Sequence, residues 1–282
     1  HQVCEAATTG QLLPETSEWI ARTKLTLERE QLRGLTAIEI AENIPGHERA
    51  CHLELHPNVE PSEYAVISEG LVGLTAQRAD RPGVVRLAGT PVVTDSIQVD
   101  SDPSHVLSLS RDVRAFFQSN RFLVEELVRR VLELVPPGPV IDLYSGVGLF
   151  GLSLAAAGRE SVTAVEGDPV AGSDLAHNGE PFGRRVVTVR RSVETYLGSA
   201  RRPDVSQATV IVDPPRTGIS KEAMAHVIRL QPPRIVYISC DVATIARDTR
   251  ALYDAGYGLV HLTGIDLFPN TAHVETVAVL TR

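Results

Sequence analysis

The chain of 282 residues is poor in cysteine and in aromatic residues. Its three cysteines, Cys4, Cys51 and Cys240, are widely spaced. This spacing excludes a disulfide framework and the closely spaced quartets that hold zinc or an iron-sulfur cluster. We therefore expect a reducing, cytoplasmic setting and no iron-sulfur cluster.

Long hydrophobic runs and an excess of positive charge are also missing. The longest nearly uncharged apolar stretch, residues 146–158, is shorter than the roughly 20 residues that a membrane-spanning helix needs. No signal-peptide pattern opens the chain, and a first residue of His1 leaves open whether other residues precede it. The formal net charge of -8 argues against broad basic wrapping of nucleic acid. We expect a globular protein with no membrane partner, and the chain indicates no protein partner.

The hydrophobic pattern divides the chain at about residue 115. Before this point, a predicted helix over residues 15–33 precedes short apolar runs that are broken by proline, glycine and aspartate. The predicted strands are residues 37–40, 65–67, 84–87, 92–93 and 97–99. We therefore assign residues 1–115 to a smaller β-rich α+β domain on the substrate side, and residues 116–282 to a catalytic domain.

Short β-rich runs alternate with segments able to form helices after residue 116. These runs are residues 140–144, 162–166, 186–189, 209–213, 235–239, 259–262 and 274–280. The alternation predicts an α/β fold with a doubly wound, largely parallel, Rossmann-like sheet. If the run 235–239 is a parallel central strand and 274–280 an antiparallel one, Cys240 and Glu275 lie on the same edge of the sheet. A thiol and a carboxylate would then face one pocket.

A glycine-rich loop follows the first of these strands. Gly146, Gly148 and Gly151 match the dinucleotide fingerprint, and the acidic Glu166 lies 20 residues after the first glycine, so a nicotinamide or an adenosyl cofactor could bind there. Asp142 favours the adenosyl cofactor, because a carboxylate attracts a cationic amino group or sulfonium and repels a pyrophosphate. The arrangement is similar to the first two motifs of S-adenosylmethionine methyltransferases, in which an acidic residue at the position of Glu166 binds the ribose hydroxyls.

Four ordered motifs resemble those of the RNA uracil-C5 methyltransferases, which form 5-methyluridine in 23S rRNA and tRNA. They are FFQSN at 116–120, DPPRTG at 213–218, SCDVATIARD at 239–248 and DLFPNTAHVE at 266–275. The last motif is more similar to the rRNA branch than to the bacterial tRNA branch. The resemblance implies an enzyme that binds S-adenosylmethionine at Gln118, Tyr144, Gly146, Glu166 and Asp213.

The chemistry of this family assigns roles to two further residues. C5 of uracil is a poor nucleophile, so Cys240 is the expected nucleophile, which adds to C6 and makes C5 reactive. After methyl transfer the C5 proton must leave, and Glu275 is the expected base. We expect His273 to be a structural hydrogen-bonding group rather than a second base.

Several functions remain open for the sequence. We favour methylation of uridine C5 in a structured RNA, rRNA rather than tRNA, with the target base flipped out of its stack. The acidic charge and the lack of an evident oligonucleotide-binding barrel leave a free nucleotide or small pyrimidine metabolite as an alternative substrate. The hypothesis of a nicotinamide-dependent dehydrogenase is supported only by the glycine loop. A non-catalytic cofactor-binding RNA clamp is a further alternative, against which the presence of Cys240 and Glu275 argues.

Overall fold

A computed structural model describes residues 12–118, 120–199 and 204–282, so Cys4 lies outside the described residues. The chain divides into two compact units. The first contains the residues up to Asp95 together with 110–115, and the second contains 96–109 and 116–282. Residues 96–109, which the hydrophobic pattern assigned to the smaller domain, therefore cluster with the larger unit. Within the described part of the chain, no helix is both long enough and apolar enough to cross a membrane.

The first unit packs a helix and a four-stranded sheet around one core. Its elements are α1 (Pro14–Arg29), β1 (Leu35–Glu42), β2 (Arg49–Leu55), a 3-10 helix (Pro61–Ile67), β3 (Gly73–Arg78) and β4 (Val84–Gly89). The strand order is β1-β2-β3-β4, with β2 and β3 parallel and the other pairs antiparallel. Trp19 of α1 is buried among Leu53, Tyr64 and Leu74. Its indole N–H donates to the Glu69 carbonyl at 3.0 Å, which satisfies the buried polar group.

The strand predicted at residues 65–67 is wrong, because these residues form the end of the 3-10 helix Pro61–Ile67. Proline is favoured at the first position of such a turn. Tyr64 and Ile67 are both buried, and their spacing of three residues places them on the same side of a 3-10 helix. This short apolar run therefore forms part of a helical turn rather than a strand.

Two further strands form a separate ribbon. They are β5 (Val92–Gln98) and β6 (Val106–Asp112), which make a two-stranded sheet. In this ribbon the Arg111 guanidinium forms a buried ion pair with Asp95, with an Nε to Oδ2 distance of 2.9 Å. Asp95 also accepts a hydrogen bond from the Ile44 backbone N–H at 2.5 Å. The buried charges are thus paired within the first unit, as buried charges must be.

The second unit is built on a seven-stranded sheet. Its helices are α2 (Val124–Leu134), α3 (Leu149–Ala156), α4 (Pro169–Gly179), α5 (Val193–Leu197), α6 (Lys221–Leu230) and α7 (Val242–Asp254), with a 3-10 segment at Glu180–Arg185. Its strands are β7 (Val140–Leu143), β8 (Val162–Glu166), β9 (Val186–Arg190), β10 (Thr209–Val212), β11 (Arg234–Ser239), β12 (Gly258–Ile265) and β13 (Glu275–Thr281). Each predicted run of this domain is therefore a strand.

The order of the strands in this sheet is β12-β13-β11-β10-β7-β8-β9. The pairs from β11 to β9 are parallel, whereas β13 is antiparallel to both of its neighbours. The doubly wound fold and the antiparallel final strand are therefore confirmed. The chain reverses its direction of winding between β7 and β10, and ligands of open α/β sheets bind at such a switch point, outside the carboxyl ends of the strands.

Candidate active site

The loop between β7 and α3 has an unusual backbone conformation. Tyr144, Gly146 and Gly148 have positive φ angles of 60°, 56° and 107°. A bulky residue with positive φ is strained, and such positions cluster at functional sites. A Cβ atom at Gly148 would collide with the Leu152 side chain, whereas a Cβ atom at Gly146 would meet no described atom within 4 Å. The loop therefore exposes its backbone to open space at Gly146, where a ligand can approach closely.

Asp142 is the penultimate residue of β7, the strand before this loop, and is fully buried. Its Oδ2 accepts a hydrogen bond from the backbone N–H of Gly151, in the first turn of α3, at 2.8 Å. Its Oδ1 has no hydrogen-bond partner among the described residues. Burial raises the pKa of Asp142 to about 7, although the bond from Gly151 opposes this shift. A buried carboxylate oxygen without a partner fits a ligand that brings a cation or a hydrogen-bond donor.

Glu166 is the last residue of β8, next to β7 in the sheet. Its Oε2 accepts a hydrogen bond from the Gly146 N–H at 2.8 Å, and its Oε1 accepts one from the Asp168 N–H at 2.7 Å. Each carboxylate oxygen can accept a second hydrogen bond. Glu166 therefore fixes the glycine loop and retains the capacity to bind ligand hydroxyls.

Asp213 follows β10 on the other side of the switch point. Its backbone N–H donates to the Leu143 carbonyl at 3.4 Å, so it lies beside the end of β7. Burial raises the pKa of Asp213 well above its ordinary value, and the charges of Glu275 and Asp142 raise it further. The carboxylates of Asp142, Asp213 and Glu275 therefore lie near one another at one end of the sheet. No local motif in the sequence revealed this clustering.

Gln118 is the remaining predicted cofactor residue. It is buried in the segment that leads to α2. Among the described residues it makes no hydrogen bond to the glycine loop. Its assignment therefore stays a prediction that rests on the family resemblance.

Cys240 and Glu275 meet at the boundary between β11 and β13. Ser239 pairs with Thr276 as the last register pair of these antiparallel strands, so Cys240 follows one strand just where Glu275 begins the other. Cys240 is partly exposed, whereas Glu275 is buried. The structure thus brings the predicted nucleophile and the predicted base to one edge of the sheet.

The ionisation of this pair depends on burial and neighbouring charge. Burial raises the pKa of Glu275 to about 7, which suits a general base at neutral pH. The pKa of the Cys240 thiol is raised by burial first and then by the negative charges of Glu275 and Asp213. The Arg216 side chain acts in the opposite direction, since its hydrogen bond and positive charge lower the pKa of the thiol. The sequence showed Arg216 only as part of a motif. The fold brings it towards Cys240, because the 213–218 loop follows β10, and β10 pairs in parallel with β11, the strand that ends just before Cys240.

The 266–275 motif contacts the backbone of the residue that carries the thiol. His273 Nδ1 lies 3.3 Å from the Cys240 carbonyl oxygen, and its ring meets that of Phe268 edge to face, with centroids 6.2 Å apart. Asn120 Nδ2 donates to the Leu267 carbonyl at 3.0 Å, which joins the 116–120 motif to this loop. His273 therefore has a structural contact next to the thiol.

Comparison with known sequences identifies relatives of this chain. Residues 188–282 match the family described as tRNA (uracil-5-)-methyltransferase. An RNA methyltransferase of Caldanaerobacter subterraneus, described as uncharacterized, is 39% identical over 173 residues, which cover 60% of this chain and 38% of that protein. The 23S rRNA (uracil(1939)-C(5))-methyltransferase RlmD of Salmonella choleraesuis is 36% identical over 183 residues, covering 64% and 42%. The tRNA (uracil(54)-C(5))-methyltransferase of Pyrococcus abyssi is 38% identical over 168 residues, covering 59% and 38%.

A solved structure is similar over nearly the whole chain. The Pyrococcus abyssi tRNA (uracil-54, C5)-methyltransferase, in complex with S-adenosyl-L-homocysteine, aligns with a TM-score of 0.74 and 26% identity, covering 94% of this chain and 67% of that one. The resemblance to RNA uracil-C5 methyltransferases and the methyltransferase fold are therefore confirmed. The chain spans only about 40% of the length of the three curated relatives, so the activity of the whole protein is a matter for proposal.

Proposed function

We propose that this chain carries the catalytic site of an S-adenosylmethionine-dependent RNA (uracil-5-)-methyltransferase. The observation that carries the proposal is the juxtaposition of a partly exposed thiol, Cys240, and a buried carboxylate, Glu275, at one edge of a methyltransferase sheet. The similarity to enzymes named for uracil C5 methylation of rRNA and tRNA supports the same conclusion.

The glycine-loop residues fit S-adenosylmethionine. Asp142 offers a buried acceptor without a partner, and Gly146 borders open space. Glu166 ends β8 and Asp213 follows β10, on either side of β7. We assign cofactor binding to Gln118, Tyr144, Gly146, Glu166 and Asp213, as the family resemblance implies. When bound, S-adenosylmethionine supplies an electrophilic methyl group on a sulfonium.

Cys240 starts the reaction in the proposed mechanism. Its thiolate adds to C6 of the uracil ring, forming a C–S bond, and the ring electrons move to C5 and O4 to give an enolate. C5 is then nucleophilic and would take the methyl group from the sulfonium, with the thioether S-adenosyl-L-homocysteine as the leaving group. Arg216 favours this step because its positive charge stabilises the thiolate against the carboxylates around it.

Glu275 completes the reaction. After methylation, C5 carries both a methyl group and a hydrogen. Glu275 in its ionised form removes this proton, the C5–C6 double bond re-forms, and the C–S bond breaks to release the Cys240 thiolate. The pKa of Glu275 of about 7 places both of its protonation states within reach at neutral pH.

The proposed substrate is RNA, and rRNA rather than tRNA. The rRNA assignment rests on the form of the 266–275 motif, because the relatives include enzymes named for 23S rRNA and for tRNA at 36% and 38% identity. A direct test incubates the protein and tritium-labelled S-adenosylmethionine with unmodified 23S rRNA, unmodified tRNA or free uridine nucleotides. We expect labelled 5-methyluridine in the rRNA. Label in tRNA would change the assigned RNA, and label only in nucleotides would overturn the RNA assignment.

A further inference from the structure

The loop that carries Arg216 is held from one side by α7. This loop covers residues 213–218 and contains two consecutive prolines, which stiffen it and provide no backbone donors. Gly218 has a φ of 80°, and a Cβ atom there would collide with the side chains of Thr244, Arg247 and Asp248. The loop therefore lies against α7 without space for a larger residue.

Asp248 is the centre of the contacts between this loop and its surroundings. Its carboxylate is buried. Its Oδ2 accepts a hydrogen bond from the Ile219 backbone N–H at 3.0 Å, just after the loop, and one from the Tyr237 hydroxyl of β11 at 2.6 Å. Its Oδ1 accepts one from Arg247 Nε at 2.8 Å. One carboxylate thus joins α7, the strand that leads to Cys240 and the end of the Arg216 loop.

Two neighbours on α7 extend this connection to the loop itself. The Thr244 hydroxyl donates to the Arg216 carbonyl at 3.0 Å. Arg247 Nη2 donates to the Thr217 carbonyl at 2.9 Å, and Asp248 orients the same guanidinium. Two consecutive carbonyls of the loop, beginning with that of Arg216 itself, are therefore held by side chains of α7.

We propose that Asp248 is a positioning residue, which holds the Arg216 loop so that the guanidinium stays beside the Cys240 thiol. This role deepens the proposed function. Only its importance for catalysis rests on that function, because the positioning of Arg216 can be measured without methyl transfer. Asp248 does not reach the reacting atoms. It acts through Ile219, Tyr237 and Arg247, and its loss lets Arg216 move away from the sulfur.

The charges around Cys240 determine what such a movement would do. Glu275 and Asp213 face the thiol with negative charge, Arg216 faces it with positive charge, and His273 contacts the Cys240 carbonyl. Loss of the guanidinium would leave the two carboxylates, so the thiolate would form only at higher pH. Since alkylating reagents attack the thiolate, the pH profile of alkylation reports the position of Arg216.

The test measures iodoacetamide alkylation of Cys240 in the full-length protein as a function of pH, with residue-resolved mass spectrometry. For Asp248→Asn we expect the midpoint to move to higher pH by about half a unit, which slows alkylation about threefold below the midpoint. Arg216→Gln should give at least as large a shift. The double variant should be no slower than Arg216→Gln alone, because both changes remove the same contact.

Controls separate this role from a general loss of structure. Asp254→Asn removes an exposed ion pair with Arg250 on the same helix and should leave the profile unchanged. Cys51 is buried, so it should stay unreactive in every folded variant. If Asp248→Asn does not fold, Thr244→Val removes the contact with the Arg216 carbonyl and must shift the profile in the same direction.

Two results would overturn the proposal: an unshifted profile in folded Asp248→Asn, or additive shifts in the double variant. Alkylation requires neither RNA nor S-adenosylmethionine. A protein that fails to methylate RNA would therefore refute the proposed function and still allow the positioning role to be tested.

Discussion

Ser239 and Thr276 are paired across the antiparallel boundary between β11 and β13. This pair sets the geometry of the candidate site, because Cys240 is the next residue after one partner and Glu275 is the residue before the other. In a fully parallel sheet, the start and the end of neighbouring strands would lie on opposite edges. The reversed direction of β13 is thus what places a base next to a nucleophile.

Replacing Cys240 by alanine should abolish methyl transfer and leave S-adenosylmethionine affinity within about twofold, because the thiol acts on the uracil rather than on the cofactor. Turnover with labelled cofactor and calorimetric binding measure the two effects. Cys51→Ala is the matched control, since Cys51 is buried in the first unit. Retained turnover in Cys240→Ala would exclude this residue as the nucleophile.

Glu275→Gln should stop the reaction after methyl transfer. The glutamine amide cannot accept the C5 proton, so the bond between Cys240 and the methylated base persists. Intact-protein mass spectrometry should then show a covalent RNA adduct with Glu275→Gln that the wild type releases. Wild-type turnover without an adduct would require a different proton acceptor.

The buried Glu275 should also make stability depend on pH. Its pKa rises from 4.5 to about 7 in the folded protein, so the folded state keeps a proton that the unfolded chain has lost between these values. The stabilising contribution is complete below about 4.5 and is lost as the pH rises through 7. Glu275→Gln removes this loss and should be more stable than the wild type at pH 8, by on the order of 2 kcal/mol.

Urea unfolding at pH 5 and at pH 8 measures this effect. The difference between Glu275→Gln and the wild type should be larger at pH 8 than at pH 5. Equal differences at the two pH values would show that Glu275 ionises as freely in the folded protein as in the unfolded chain.

Asp142→Asn should separate cofactor binding from folding. Asparagine can still accept the Gly151 hydrogen bond but carries no charge to attract a cationic ligand group. We therefore expect S-adenosylmethionine affinity to fall about tenfold or more, equivalent to about 1.4 kcal/mol. The free energy of unfolding at pH 8 should be unchanged or higher, because a buried charge is removed. Unchanged affinity would show that the Asp142 carboxylate does not attract the cofactor.

The fold of the larger unit was predictable because its local signals agree with one another. Each strand is a compact apolar run, and the breaks between runs carry glycine, proline and polar residues. The smaller unit was harder to predict. Its strand β2 contains the buried Arg49 and His52, which break the apolar pattern, and its 65–67 run belongs to a 3-10 helix.

The candidate site was predictable only in the residues that its motifs contain. Cys240 and Glu275 stand 35 positions apart, and topology alone brings them together. The clustering of Asp142 with Asp213, and the contacts of Asp248 with Ile219 and Tyr237, join different strands and loops. Interactions of this kind have no signature in sequence spacing. The left-handed conformation of Tyr144 is equally hidden, because the residue reads as the end of a strand.

The central claim is that Cys240 forms a covalent bond to the uracil that is methylated. Its most direct test is intact mass spectrometry of the protein after incubation with S-adenosylmethionine and RNA that contains 5-fluorouridine. Fluorine at C5 cannot leave as a proton does, so the reaction should stop with RNA bound to the protein. We predict an adduct that maps to Cys240 and is absent in Cys240→Ala. An adduct at another residue, or methylated RNA without any adduct, would contradict the account.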